Sequence, residues 1–192
     1  MQLDELRSLI AQEPERRMVY PVYLERKPIN VKQSDGVPLS EFLVNREPTG
    51  ESRTIIFRHI LGPPASLKAV RAWQERWPSY PLPLDLQVLV EQVNGIHLWA
   101  DVEEGRAYSG LAPIEEWQPA RLAMYGCDSD PELLSERYLA LSYHADGGCF
   151  VVLDVDSGMY FLMDSCGPDK TCPLGASVDE LLDWLWADRL LP

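Results

Sequence analysis

The run "YLALSYHADGGCFVVLDVDSGMYFLMD", Tyr138 to Asp164, constrains the fold of this chain more than any other stretch. It holds three segments rich in β-branched and aromatic residues: "YLALSYH", "CFVVLDV" and "MYFLMD". Each has strand length and is bounded by polar or glycine-containing turns. The last two are linked by Asp156-Ser157-Gly158, a short turn in which glycine can take φ > 0. A link this short makes an antiparallel hairpin, since a parallel pair needs a crossover of about a dozen residues or more.

The same run invites a chemical reading. His144, Asp146 and Cys149 fall within six positions, and Asp154, Asp156 and Asp164 follow. A thiolate nucleophile needs a base in hydrogen-bond reach, and that base needs an orienting group. Cys149, however, opens a strand beside "FVVL", where cysteine is ordinarily a small buried hydrophobe. The aspartates read as turn formers and surface charge. Metal chemistry finds little support. Cys166 and Cys172 in "DSCGPDKTC" are separated by five residues, with no second knuckle, whereas structural zinc sites use shorter spacings in pairs. The three histidines, His59, His97 and His144, form no close pair. "DVDSG" begins like a calcium loop but continues as the strand "MYFL". Phosphate-binding glycine loops, a G-x-S-x-G elbow and H-E-x-x-H are missing. The sequence assigns no catalytic residue, no metal ligand and no cofactor.

Elsewhere helices come before and after this cluster of strands. "LDELRSLIAQ" has helical spacing ended by Pro14, and "MVYPVYLE" (18–25) reads as a strand with Pro21 marking an edge. "KPINVKQSDGVPLSEFLVN" is turn-rich with "SEFLV" as a candidate strand, "EPTGES" is a loop, and "RTIIFRHI" (53–60) is a strand. "LGPPAS" (61–66) is the best break in the chain. It divides an N-terminal extension, 1–62, from a second region, 63–192. Ser66 sits at a helix N-cap position before Leu67, Val70, Trp73 and Trp77 at helical spacing. In "PLPLDLQVLVEQVNG", Leu86, Leu89, Val90 and Val93 share a face and Asn94-Gly95 stops the helix. "IHLWAD" and "RAYSG" flank a turn. "LAPIEEWQPARLAMYG" starts as a helix that Pro119 must bend or end, and "DPELLSERY" is a further helix. "SVDELLDWLWADRLL" carries a capping box, Ser177 with Glu180, and turns Val178, Leu181, Leu182, Leu185 and Trp184 to the core. Without strict βαβ alternation, the fold class is α+β: a mixed, largely antiparallel sheet packed against helices.

Thirty acidic residues against 17 basic ones give a formal net charge of −13. That disfavours nucleic acid and anionic membranes as partners and favours a basic protein, whose encounter a complementary field speeds. The alternative, that the charge serves solubility alone, stays open. No apolar run is long enough to span a bilayer, and "MQLDELRSLIAQEPERR" is no signal peptide, so a cytoplasmic location is expected. Four cysteines in a chain this large do not make a disulfide scaffold. Trp73, Trp77 and Trp184 fit buried helix faces. Trp99 and Trp117 lie beside carboxylates at element ends. Burial is the ordinary fate of a tryptophan, but an exposed aromatic ringed by acid is what a binding hot spot needs. The candidate partner surface is therefore Trp99, Asp101, Glu103 and Glu104 near one strand end, with Asp146 in the Gly-Gly loop.

The order of these motifs resembles the SUKH superfamily (Smi-Knr type), known largely as immunity proteins of bacterial toxin systems. The similarity runs over about residues 67–190. It is carried by "LPLDLQVLVEQVNG", "LAPIEEW", "GGCFVVLDVDSGMYF" and "SVDELLDWLW", with Asn94-Gly95, Ile114-Glu115-Glu116-Trp117 and Gly147-Gly148 as the closest matches. The first sixty residues lie outside it. They are an added strand layer, a partner-specific extension or a small separate module. The resemblance implies an α+β fold, no catalytic residues, and the binding and steric occlusion of a cognate toxin, often a nuclease. A regulatory or scaffold module without toxin linkage is the alternative, and a small metal- or thiol-dependent enzyme the third.

Overall fold

A computed structural model describes residues 1–25, 46–103, 107–123, 137–144, 149–164 and 171–187. In chain order these form α1 (Leu3–Gln12), β1 (Glu15–Glu25), β2 (Arg46–Leu61), α2 (Leu67–Arg76), α3 (Leu84–Gln92), β3 (Ile96–Asp101) and β4 (Ala107–Leu111). A 3₁₀ turn (Ile114–Glu116), β5 (Gln118–Pro119), α4 (Ala120–Ala123), β6 (Tyr138–His144), β7 (Cys149–Asp154), β8 (Met159–Asp164), β9 (Thr171–Gly175) and α5 (Val178–Ala187) follow. The fold is α+β. The strands make two sheets rather than one, ordered β1-β2-β3-β4 and β5-β6-β7-β8-β9. From β2–β3 onward, the pairings whose register is described are antiparallel. No helix among the described residues is long and apolar enough to cross a membrane.

The chain divides into two compact units, Met1–Arg16 with Phe57–Pro192, and Arg17–Ile56. The smaller unit holds most of β1 and β2. In it "EPTGES" is strand rather than loop, because β2 runs unbroken from Arg46 and absorbs Pro48 and Gly50 (φ 81°). The larger unit contains α1 and the "LGPPAS" segment. That segment is laced to the end of α3: Gly62 N–H donates to Gly95 O (2.8 Å), Asn94 N–H to Pro63 O (3.0 Å) and Ala65 N–H to Val90 O (2.8 Å). The backbones approach so closely that a Cβ on Gly62 would lie 2.0 Å from Asn94 O.

The meander β6-β7-β8 forms as its sequence predicts, and β7 is its centre. Phe150 to Asp154 are all buried, because both faces of the strand are covered. One face joins Phe150 and Val152 to Ala140, Met163 and Ala120. Across the other run the paired residues Leu139, Leu153 and Tyr160, each at most 1% exposed. The hairpin turn is built around Asp154, itself 1% exposed. Its carboxylate accepts from Arg137 Nε (2.9 Å), Ser157 Oγ (2.7 Å) and Asp156 N–H (3.1 Å), while Gly158 (φ 72°) closes the turn onto Asp154 O at 2.8 Å. Burial alone would raise the Asp154 pKa. The hydrogen bonds from Arg137, Ser157 and Asp156 outweigh it and hold the group below the usual carboxylate range.

The helix caps follow the sequence. Ser66 Oγ accepts from Ala69 N–H (3.1 Å), and Ser177 Oγ from Glu180 N–H (3.3 Å). Glu180 reaches back one residue further than the predicted box, to Ala176 N–H (2.6 Å). Leu86, Leu89, Val90 and Val93 are buried as predicted. Three elements differ from expectation. After Pro113 there is only a 3₁₀ turn, because Pro119 prevents a longer helix. β9, an element not expected from the sequence, forms because β8 supplies a paired edge. On α5 the fifth core position is Trp186 (9% exposed), not Trp184, because the stripe through 178, 181, 182 and 185 continues at 186. "SEFLV" and residues 130–136 of "DPELLSERY" fall outside the described residues, and Tyr138, the last residue of that predicted helix, begins β6.

Candidate functional site

The residues singled out in the sequence do not make a surface together. Trp99 is 0% exposed and Asp101 2% exposed, so neither can touch a partner. Glu103 is exposed, while Glu104 and Asp146 lie outside the described residues. Asp101 is buried because it holds the turn after β3, its Oδ1 accepting from Glu103 N–H at 2.8 Å. Trp117, the other candidate anchor, is 1% exposed. Its Nε1–H donates to Ala112 O (2.7 Å) and its carbonyl accepts from Trp73 Nε1–H (2.8 Å). Asn94 completes this knot, with its Oδ1 accepting from Ile114 N–H (2.7 Å) and its Nδ2 donating to Glu115 (2.9 Å). In the "NG" and "IEEW" motifs, Asn94, Ile114 and Trp117 therefore hold the fold together, while Glu115 and Glu116 are exposed.

Trp99 is buried through a bulge. The β2–β3 register shifts between Arg58 and Ile60, and Trp99 takes φ 54°, a left-handed conformation uncommon for a bulky residue. The bulge breaks alternation, so Leu98, Trp99 and Ala100 are buried in succession. Trp99 N–H donates to His59 Nδ1 at 3.3 Å. The rings of His59 and Trp186 lie 4.2 and 5.8 Å from its own, and the Arg16 guanidinium sits 4.5 Å above it. Strain of roughly 1–3 kcal/mol at such a residue is offset by packing of this kind.

The candidate surface is α5. Three contacts fix the helix in place. Val178 N–H donates to Asp85 Oδ2 (3.0 Å), Ser109 Oγ donates to Leu185 O (3.0 Å), and Gly175 lies so close that a Cβ there would meet Glu180 Cβ at 2.4 Å. The outer side of α5 is an acidic ridge, Asp179, Glu180 and Asp183, all exposed. An apolar cleft lies on each side. The first, about 750 Å³, is walled by Leu3 and Asp4 of α1, Leu84, Asp85 and Val88 of α3, and Leu182 of α5. The second, about 650 Å³, is lined by Met159, Pro173, Leu174, Glu180 and half-buried Trp184. Leu84 is 76% and Val88 44% exposed, large values for apolar side chains in a cleft. The ridge is partly compensated, since the Met1 ammonium pairs with Asp183 (2.8 Å) and donates to Asp179 O (2.9 Å), and at the cleft wall Asp4 pairs with Arg7 (2.9 Å).

The sequence matches no family model and no curated protein.

Sequence reasoning passed over α3 as a surface, although a signal was present. Leu84 and Val88 lie off the face shared by Leu86, Leu89, Val90 and Val93, so the helix is more apolar than one buried face requires. The Cys/His/Asp group also acquires a geometry. Cα register pairs His144 with Cys149 and Cys149 with Asp164. The three occupy one row across β6, β7 and β8 with the cysteine in the middle, whereas a thiol relay places the base between nucleophile and carboxylate. No group of three or more potential metal ligands is found among the described residues.

Proposed function

We propose that this chain is a cytoplasmic, non-enzymatic immunity protein, as the SUKH resemblance implies, which binds a cognate bacterial toxin and blocks it sterically. The observation that carries the reading is the acidic ridge of α5 between two apolar clefts. Apolar side chains supply contact area and affinity, and the charged rim supplies orientation and encounter rate. The negative charge is concentrated in the larger unit. Arg17–Ile56 carries six basic and five acidic residues, so the remainder holds 11 basic and 25 acidic, a net charge of −14. A toxin that works on phosphates carries a basic cleft, and an acidic ridge complements it. Trp184, with its ring at the cleft edge, is the aromatic anchor in place of Trp99.

The test is protection. The chain is expressed with the toxin encoded by a neighbouring gene, and the complex is measured by calorimetry. Growth is rescued and a one-to-one complex forms if the reading holds, and Trp184→Ala with Asp179→Lys weakens both. A chain that neither binds nor protects against any neighbouring toxin refutes it, and a regulatory partner becomes the better account of the same surface. A second reading draws on the Cα pairing of His144 with Cys149 across β6 and β7 as a two-residue pair without the carboxylate relay. Under it the chain is a thiol-dependent enzyme, and Cys149→Ala abolishes protection. Under the first reading Cys149→Ala protects as well as the parent.

A further inference from the structure

We propose that the cleft between α1, α3 and α5 receives an amphipathic helix of the partner, with lysine or arginine along both flanks of its apolar face. The inference rests on the reading of the chain as a toxin-blocking protein and adds which part of the partner it grips.

The occupant is a helix because of what lines the cleft. Its walls come from α1, α3 and α5, with Gln2 at the α1 N-cap, and no strand edge contributes to it. Helix backbones satisfy their own hydrogen bonds along their length, so the walls offer no row of N–H and C=O groups for an added strand. A guest must bring its own backbone bonds already paired, which is what a helix does. Leu84 and Val88 stand four residues apart on α3, one helical turn. This is the spacing at which the side chains of a packed helix interdigitate with a neighbour.

The occupant is cationic because of the rim. Asp4, Asp85 and Asp179 line the cleft on all three helices, and no lysine or arginine lines it. Arg7 pairs with Asp4 at 2.9 Å, Asp85 accepts from Leu86 N–H (2.9 Å) and Val178 N–H (3.0 Å), and the Met1 ammonium donates to Asp179 O (2.9 Å), so the rim keeps a net negative charge that is carried most openly by the Asp179 carboxylate. A second copy of this chain is a poor occupant. A two-fold contact through this face would set the same acidic rim against itself, on a body of net charge −14.

The probe is a synthetic peptide of about 18 residues, long enough for helix to form on binding, with leucines at i, i+4 and i+7 and lysines beside them. Its affinity for the full chain is measured by calorimetry and its helicity by circular dichroism. A scrambled peptide of equal composition and a glutamate-flanked version serve as comparisons. The lysine-flanked peptide gains helix and binds. The Leu84→Ser/Val88→Ser variant binds it about tenfold more weakly or worse, while Leu67→Ser, at an exposed apolar position on α2, leaves binding unchanged. Both sites are exposed, so the variants keep the parental melting temperature. Equal binding of the scrambled or glutamate peptide, or indifference to the double variant, overturns the proposal. The same variants are then scored for protection against the cognate toxin. Full protection by the double variant overturns the helix assignment and leaves the immunity reading standing. Absence of protection by the parent chain, with the peptide results intact, overturns the immunity reading and leaves the cleft a helix receptor.

Discussion

His59 shows how a single side chain can be set by its neighbours. Its Nδ1 accepts from Trp99 N–H, and its ring meets Trp99 edge-on (4.2 Å) and Trp186 at a tilt (5.3 Å). Desolvation lowers its pKa below 6.5, Glu13 opposes the shift, and Arg16 adds to it. The unfolded chain therefore takes up a proton at this site at a higher pH than the folded one. The stability it contributes is present above about pH 6.5 and is lost as pH falls through the lower folded value. His59→Gln keeps an acceptor and removes the titration, so the drop in melting temperature between pH 7 and pH 5 should shrink. An unchanged drop would place the pH sensitivity elsewhere. Tyr160 offers a second test. Its hydroxyl is buried without a hydrogen-bond partner among the described residues, and desolvation, with Asp85 adding to it, pushes its pKa well above the usual range. Tyr160→Phe removes an unpaired polar group and keeps the ring, so urea unfolding should show equal or higher stability, by up to about 1 kcal/mol.

At the scale of elements, α5 joins the cap, the core stripe and the ridge. Ser177→Ala removes the acceptor for Glu180 N–H and should cost about 1 kcal/mol, read as a lower urea midpoint at constant slope. Gly62→Ala should cost more, about 1–3 kcal/mol, because the added methyl meets backbone oxygen of Asn94 rather than a movable side chain. Retained stability in that variant would show that the Leu61–Ser66 segment can move away from α3. The two errors on tryptophans have one cause. Periodicity fixes which residues share a face, but not which face is covered. Trp184 and Trp186 both lie on an amphipathic helix, and only Trp186 falls against His59 and Trp99. Trp99, flanked by acid, looked like a surface anchor until the bulge in β3 turned it inward.

For the molecule as a whole, charge governs approach. The larger unit carries −14 and the smaller +1. Association with a basic partner should be fast at low ionic strength and slow down as salt shortens the screening length to below about 10 Å. Asp179→Lys should lower kon severalfold at 20 mM salt and have little effect at 500 mM, as stopped-flow mixing with the proposed basic partner would report. A salt-independent on-rate would mean that the ridge does not face the partner.

The sequence by itself determined the local structure. It contained the β6-β7-β8 meander, the Asp154–Gly158 turn, the caps at Ser66 and Ser177 and the buried face of α3, because each depends on residues within one or two turns of one another. It also contained the acidic balance. Tertiary structure decided the rest. β9 needed β8 as an edge, the bulge at Trp99 needed the register of β2, and the clefts beside α5 needed α1, α3 and β9 to meet around one helix. These are contacts between segments far apart in the chain, and no periodicity reports which of two apolar faces a distant segment will cover.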